Sequence, residues 1–428
     1  MTNQQISSNR LDEKEHAKVE KSNDVRDLFK NKFFQTILVS NVLLQIGIWV
    51  RNFALLMFVT DQTNNDPFAV GLMGFVEFLP IFIFSFIGGT FADRWKPRLT
   101  MIRCDYLSAV SVLVVLITLK LGSWHMVYLA TFLSAILSQF SQPSAMKLFK
   151  QHIKPAQLQQ AMAFFQSLMA IFMVVGPSLG VITYQRFGIE ISIGVMGVAF
   201  LLSAIVLYRI PKDKEVKQEK PTKGQFWSEL SAGFQYVWRS PMLKSLGGAF
   251  ALAGIAVGIV QTLSIFVVME RLEQPKQFLQ YMLMVNGVAM LVGGALVMTL
   301  AKKVSPQKLL ALGMLISSLT MIGIGWSTSV PLTLALQFIS GLGFPCIQIG
   351  ISTLILQSTE EKYVGRVNGV LSPMFVGMMV IMTLVAGQLK VYFPLVSIYS
   401  IAGIMMFAGM SLIVPLFKYR PSVMMEQR

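Results

Sequence analysis

Twelve apolar runs, each about as long as a bilayer is thick, dominate this sequence. They lie at 33–60, 69–91, 100–120, 124–143, 161–184, 191–209, 246–270, 278–300, 309–327, 330–356, 366–390 and 394–417. Hydrophobic residues make up 54% of the 428 residues and charged residues only 13%, which is more apolar surface than a water-soluble chain could bury. Because backbone groups in lipid must pair within their own segment, we predict an all-α membrane protein with twelve transmembrane helices.

The basic residues predict how these helices are oriented. The chain has a net charge of +15, and 30 of its 36 Lys and Arg precede the first run, follow even-numbered runs or end the chain. Only five lie in the turns on the other side. By the positive-inside rule, we expect a multi-pass protein of the cell membrane with both termini in the cytoplasm. The positive charge thus indicates topology and attraction to lipid, and not a nucleic-acid partner.

An internal repeat divides the spans into two halves. Gly88-Gly89 and the basic turn after it have a degenerate echo about 205 residues later, at Gly293-Gly294 and Lys302-Lys303. We therefore predict two pseudo-symmetric six-helix bundles. The expected domains are a charged tail (1–32), the first bundle (33–209), a cytoplasmic linker (210–245), the second bundle (246–417) and a short tail (418–428). Within the linker, Gln225–Arg239 has helical periodicity and is either an interfacial helix or a plain tether.

Three charged side chains are expected inside the membrane. Glu77 is the one deep acid, Arg51 the one deep base, and Asp105 lies near the inner surface of the third span. A carboxylate in hydrocarbon costs several kcal/mol unless it is paired or protonated. Arg51 and Glu77 each lie about nine residues, or about 14 Å, from the outer end of adjacent spans, so an ion pair between them is predicted. This pair either couples proton or substrate movement, serves as a permanent strut, or results from snorkelling into lipid.

The turn between the second and third spans resembles a family signature. Gly89, Asp93, Arg94 and Arg98 fit the Gly-x-x-x-Asp-Arg and basic pattern of the major facilitator superfamily. Gly176, Pro177 and Gly180 resemble the kink motif of its drug–proton antiporters. The hairpin that includes Gly365 and Arg366 is similar to the branch that exports drugs, macrolides and siderophores.

The resemblance implies a two-bundle transporter that exposes a central site to one side at a time. Asp93 would meet the start of the eleventh span near Gly365, and Arg94 and Arg98 would tie the bundles together as a cytoplasmic latch, with Arg366 beside them. Topology alone is the other explanation for these charges. Gly176 and Pro177 would kink the fifth span, as a gate or as a plain bend.

Scattered aromatic and amide side chains within the spans are candidates for a substrate cavity. Such groups suit a bulky, mostly apolar substrate, although each taken alone is more often a helix-packing residue. The candidates are Gln45, Trp49, Asn52, Phe165, Gln166, Gln261 and Asn286.

The predicted function is proton-coupled export of small amphipathic molecules. The alternatives are an importer or a lysophospholipid mover on the same scaffold and, remotely, an intramembrane hydrolase, since residues 176–180 match Gly-x-Ser-x-Gly. We expect no enzyme, no cofactor and no metal site, because the two Cys and three His are widely separated. The expected partners are a small-molecule substrate, a proton and the lipid bilayer, with the chain acting as a monomer.

Overall fold

A computed structural model of the chain describes residues 28–92, 96–211, 225–300, 303–360 and 363–418. The first half contains α1 Lys32–Gln62, α2 Pro67–Ala92, α3 Pro97–Lys120, α4 Met126–His152 and the helical element Pro155–Leu207. That element breaks at Gly188, whose φ of 73° is in the region that favours glycine, so we treat 155–187 as α5 and 189–207 as α6. The break falls in the turn predicted between the fifth and sixth spans.

The second half follows the same plan. It contains α8 Pro241–Phe266, α9 Leu279–Leu300, α10 Pro306–Trp326, α11 Val330–Ser358, α12 Val364–Tyr392 and α13 Leu395–Ile413. A short helix, α7 Gln225–Arg239, precedes it and packs against α12. Proline begins several of these helices, where its fixed φ fits the first turn and its missing N–H costs nothing.

Ten of the described helices are long and apolar enough to cross a membrane, with α5 and α6 counted together. Counting α5 and α6 separately gives eleven spans, and α4 is the twelfth. Its Ser and Gln side chains lower its hydropathy, but they face the inside of its bundle. At about 1.5 Å per residue its 27 residues span about 40 Å, which is enough to cross. The prediction of twelve transmembrane helices in an all-α membrane protein is confirmed.

The main helix contacts in the two halves correspond to each other. In the first half α1 packs on α5 and α6, α2 on α4, and α3 on α4 and on the α5–α6 element. In the second half α8 packs on α12 and α13, α9 on α11, and α10 on α11 and α13. Because α7 belongs to the linker, the seventh to twelfth spans are α8 to α13. Each contact in the first half therefore has a counterpart six spans later in the second half. This correspondence is what two pseudo-symmetric bundles require.

Two seams join the halves, α2 with α12 and α5 with α9. The twofold relation that superposes the halves matches α2 with α9, the eighth span, and α5 with α12, the eleventh span. It therefore exchanges the two seams. The seams are close: a Cβ on Gly71 of α2 would lie 2.6 Å from the carbonyl oxygen of Thr383 in α12. Small residues allow this backbone approach, so the seams depend on close packing.

We name the two ends of the molecule by the chain. The linker face is where α1 begins, α6 ends and the linker connects the halves, and the far face is where α1 ends. The sequence analysis predicts that the linker face is cytoplasmic, and this orientation stays a prediction.

Candidate functional site

A chain of polar side chains crosses the interior of the first half. Arg51 of α1, which is 4% exposed, donates from Nη1 to the Ser134 hydroxyl of α4 at 2.7 Å. Its Nε donates to Oδ1 of Asn52 at 2.9 Å. The amide nitrogen of Asn52 in turn donates to Oε1 of Glu77 in α2 at 2.6 Å. One base, one amide, one hydroxyl and one acid therefore form a continuous network across three helices.

The predicted direct ion pair between Arg51 and Glu77 is replaced by a bridged one. In the described part of the chain, no base lies within ion-pair distance of the Glu77 carboxylate. The orientation of the Asn52 amide follows from chemistry, because a guanidinium only donates and a carboxylate only accepts. Glu77 itself is partly exposed. The acid can therefore change its charge without direct rupture of an ion pair.

Asp105 is separate from this network. Its side chain is 2% exposed in α3, and Oδ2 accepts a 2.7 Å hydrogen bond from Ser203 of α6. Ser203 also lies 2.8 Å from the hydroxyl of Ser40 in α1. Grouping Asp105 with Arg51 and Glu77 as one site is not what the geometry shows.

The candidate cavity residues do not converge on a single pocket. Gln45 and Phe165 line a cavity of about 240 Å³ inside the first half, where Gln45 donates to the sulfur of Met169. Asn286 is instead paired with Gln337 of α11, at 3.1 Å to its carbonyl oxygen and 3.3 Å to its side chain. Gln166 and Gln261 are exposed. The expected single cluster is thus divided into an internal cavity, a packing pair and two exposed amides.

Gly176 and Gly180 allow α5 to pack closely against α1. A Cβ on Gly176 would overlap the ring of Trp49, and one on Gly180 would lie 2.7 Å from the Trp49 carbonyl oxygen. The backbone keeps helical dihedral angles through Pro177, and the one non-helical residue in the element is Gly188. The helix therefore continues through Gly176-Pro177 and breaks only at Gly188, and the predicted kink at Gly176-Pro177 stays a prediction.

The predicted latch is described in part. Asp93 and Arg94 lie outside the described residues, as do the surroundings of Gly89. Arg98 donates to the carbonyl oxygen of Tyr208 at 2.9 Å, a contact within the first half. Gly365 is exposed, and the Arg366 guanidinium lies 5.3 Å from the ring centroid of Tyr363 in its own half. None of these described contacts connects the halves, so the latch stays a prediction.

A contact between the halves that the sequence analysis missed lies on the far face. Lys276, 8% exposed and just before α9, forms an ion pair with Asp61 at the end of α1. Lys276 also donates to the carbonyl oxygen of Met57 at 3.0 Å, and Tyr184 of α5 donates to Asp61 at 2.8 Å. The sequence analysis counted Lys276 only as one of five far-side bases, and no motif marks its partner.

Twelve spans in two twofold-related halves, with buried charges inside and polar contacts across the seam, define a multi-span membrane transport protein. The family profile described as Major Facilitator Superfamily matches residues 37–375 and 267–428, and the chain belongs to this superfamily.

Two curated relatives match most of the chain. YkuC of Bacillus subtilis (strain 168), described as an uncharacterized MFS-type transporter, is 25% identical over 379 residues, 86% of this chain and 87% of the relative. YfiS of the same organism, with the same description, is 24% identical over 355 residues, 80% and 84% of the two chains. These relatives support membership of the superfamily and carry no information on the substrate.

Solved structures share the fold. The nucleoside transporter NupG has a TM-score of 0.76 at 11% identity, over 91% of this chain and 100% of that one. A peptide transporter POT in complex with alafosfalin has a TM-score of 0.73 at 12% identity, over 90% and 94%. At such low identity these likenesses show the fold alone.

Family and relatives indicate a transport protein and not an enzyme. Ser178, the centre of the Gly-x-Ser-x-Gly match, lies within the helical element Pro155–Leu207. A nucleophile elbow requires a strand-to-helix turn, which this position does not provide. The hydrolase alternative therefore has no structural support.

Proposed function

We propose that this protein is a proton-coupled secondary transporter that exports small amphipathic molecules, of the drug, macrolide or siderophore class, by alternating access. The observation that carries the proposal is the bridged network in which Asn52 connects Glu77 to Arg51 inside the membrane. Glu77 is the proton carrier, Asn52 the connector, and Arg51 the fixed positive charge that senses its protonation.

Protonation of Glu77 changes the strength of this network. A hydrogen bond to a charged acceptor contributes about 1.5–3 kcal/mol, and one between neutral groups about 0.5–1.5 kcal/mol. Loss of the negative charge therefore weakens the link between α1 and α2 by about 1 kcal/mol or more, which changes the ratio of two conformations roughly fivefold. A second, longer-range contribution comes from Arg51, whose charge is then no longer balanced.

In the proposed cycle, the two bundles move relative to each other along the described seams. The bundles touch along α2–α12 and α5–α9, and Lys276 links them on the far face. In the proposed cycle the Lys276–Asp61 pair is made when the far face is closed and broken when it opens. Buried seams that can repack as units favour two discrete arrangements over a continuum.

Aromatic and amide groups near the seams are proposed to contact the cargo. Trp49 and Phe53 of α1 stack with ring centroids 5.7 Å apart beside α5, and the amides of Gln166 in α5 and Gln261 in α8 are exposed. Such groups suit an amphipathic substrate, including a cationic one, through stacking and a few hydrogen bonds. Phe165 is 2% exposed within the first half and is assigned to packing.

Inverted membrane vesicles test coupling and direction together. With an acidic interior, the exporter should accumulate ethidium inside the vesicles, and an uncoupler should abolish this accumulation. Glu77→Gln should reduce the accumulation about tenfold or more. The matched control is Glu190→Gln, an exposed acid on the far face that forms a 3.9 Å ion pair with Lys120, and it should transport normally.

Normal, uncoupler-sensitive accumulation in Glu77→Gln would overturn the assignment of Glu77 as proton carrier. Gradient-driven uptake of a solute or lysophospholipid by right-side-out vesicles, without ethidium export, would support an importer or lipid mover instead. We also propose the cell membrane as the location, cytoplasmic termini and a monomeric working unit. A C-terminal fluorescent protein, which fluoresces only on the cytoplasmic side, tests the orientation.

A further inference from the structure

The internal cavity of the first half has a chemical character that the transport proposal does not use. It encloses about 240 Å³ between α1, α3, α4, α5 and α6. The polar residues of its wall are Asn41, Gln45, Cys104, Asp105, Ser108, Ser134, Ser138, Gln139, Ser141 and Gln142. A water molecule occupies about 30 Å³ of liquid, so the space holds several waters or one partly hydrated ion. It is smaller than the pockets of about 300–1,000 Å³ that take drug-sized ligands.

Asp105 is the only acid among the described residues of this wall, and no described base forms an ion pair with its carboxylate. Among the described residues its hydrogen-bond partner is Ser203 at Oδ2, and none of the described ion pairs includes it. Arg51 reaches the cavity only through the hydroxyl of Ser134. A carboxylate that is 2% exposed requires a positive charge or a proton to be tolerated there.

Two oxygen atoms in the same cavity wall as Asp105 also lack hydrogen-bond partners among the described residues. Oδ1 of Asn41 is buried and accepts no hydrogen bond. The hydroxyl of Ser108 has no hydrogen-bond partner among the described residues. A proton on Asp105 would need a single acceptor, whereas a hard cation collects about six oxygen ligands from carboxylates, carbonyls and water. The two free oxygens of Asn41 and Ser108 beside the carboxylate therefore favour a metal cation, with water completing its ligands, over a proton.

The charge of the wall selects the class of cation. In the described part of the chain, no three His, Cys, Asp or Glu side chains come together as a metal site. One carboxylate with neutral oxygens matches a single positive charge, while divalent ions are usually held by more carboxylates. We propose that the cavity around Asp105 is a binding site for an alkali-metal cation, with Asn41 and Ser108 among its ligands. The site is distinct from the Glu77 network and borders it at Ser134.

Ion binding to the purified full-length protein in nanodiscs tests this site. We expect saturable binding of ²²Na⁺, or competition of that binding by K⁺, and a rise of a few degrees in the melting temperature relative to N-methylglucamine at equal ionic strength. Asp105→Asn should abolish both effects. Asn41→Ala and Ser108→Ala should weaken binding about 3–10-fold while leaving the fold intact, since neither side chain loses a described hydrogen bond.

The matched control is Ser111→Ala, one turn further along α3 and outside the cavity wall, whose hydroxyl bonds the Ser108 carbonyl at 2.8 Å. It should bind Na⁺ normally, and so should Glu77→Gln. The site is disproved if the wild-type protein binds neither Na⁺ nor K⁺, if its stability responds to pH but to neither cation, or if Asn41→Ala and Ser108→Ala bind as the wild type does. Because no transported substrate is used, failure here leaves the proposed coupling through Glu77 intact, and failure of that coupling leaves this site intact.

Discussion

The amide nitrogen of Asn52 lies 2.6 Å from Oε1 of Glu77 and joins α1 to α2 within the membrane. These adjacent helices make few other contacts, because α1 packs mainly on α5 and α6 and α2 mainly on α4 and α12. Among the described residues, this is the side-chain hydrogen bond that joins them, beside the apolar packing of Val50 and Ala54 with Met73. It is the point at which a change of protonation can be converted into a relative movement of two helices.

Removal of the connecting amide should uncouple transport. We expect Asn52→Leu to reduce pH-gradient-driven transport about as much as Glu77→Gln, because either change breaks the same network. The double variant should lose little more than each single one, since residues in one network are not additive. The measurement is initial transport rate in inverted vesicles.

The control for this prediction is Asn286→Leu, which removes another intramembrane Asn, paired with the neutral Gln337. Both Asn variants should lower thermal stability to a similar degree, by about 1–3 kcal/mol. If Asn286→Leu uncoupled transport equally, or if the losses in the Asn52 and Glu77 variants added fully, the network would not be the coupling element.

Reversal of one charge in the far-face contact should open that face. Lys276→Glu places a like charge against Asp61, so the closed arrangement is destabilised. We expect faster thiol labelling of Met57→Cys, which is fully buried beneath Lys276, in a chain whose two buried native cysteines are replaced. The exchange Asp61→Lys with Lys276→Asp should return the labelling rate toward the wild type.

Lys120→Glu is the control for the far-face prediction. It breaks an exposed pair with Glu190 that lies on the same face but within the first half. Exposed pairs contribute about 0–1 kcal/mol, and this one does not join the halves, so labelling should be unchanged. Equal acceleration by both variants would indicate a general effect of surface charge.

Substitution of Gly176 should disturb the contact between α1 and α5. A methyl group there overlaps the rigid ring of Trp49, so Gly176→Ala should destabilise the protein by about 1–3 kcal/mol. Gly194→Ala, where no described atom lies within 4 Å of the new Cβ, should be neutral or stabilising by up to about 1 kcal/mol. Thermal unfolding measures both, and Trp49→Leu should partly rescue Gly176→Ala. A harmless Gly176→Ala would show that the two helices can separate freely.

Helix α7 should lie in the lipid headgroup region. Phe234 and Trp238 are 52% and 59% exposed and stack with centroids 5.5 Å apart, and Lys244 lies 4.9 Å from the Trp238 ring centroid. Such a pair of exposed aromatics beside a base is typical of a membrane interface. We expect brominated lipids to quench the wild-type fluorescence more than that of Trp238→Phe. Equal quenching would make α7 a plain tether.

The number and approximate bounds of the spans could be predicted because a membrane imposes a length on each apolar run. The first run was predicted at 33–60, and α1 is Lys32–Gln62. The prediction was less accurate for α4, placed at 124–143 but extending through Met126–His152. Its Ser and Gln side chains face the cavity and not lipid, so hydropathy underestimates its length.

Depth within the membrane was also readable, because the helical rise of about 1.5 Å per residue converts sequence position into distance from the surface. That is why Arg51 and Glu77 were expected at one level, and why both belong to the same network. Rotation about each helix axis, about 100° per residue, was not readable. It placed Asn52 between the two charges and Ser134 behind Arg51, and no single-sequence pattern contains that information.

The amino-acid sequence by itself determined that this protein spans a bilayer with two repeats of six helices. The length of each hydrophobic run, the basic turns and the internal repeat can all be read directly from the sequence. Tertiary structure alone decided which side chains meet: Asn52 with Glu77, Lys276 with Asp61 across 215 positions, and Asp105 with an oxygen-lined cavity. These pairings depend on helix rotation and on packing between distant segments, and many arrangements of the same spans would satisfy the sequence pattern equally well.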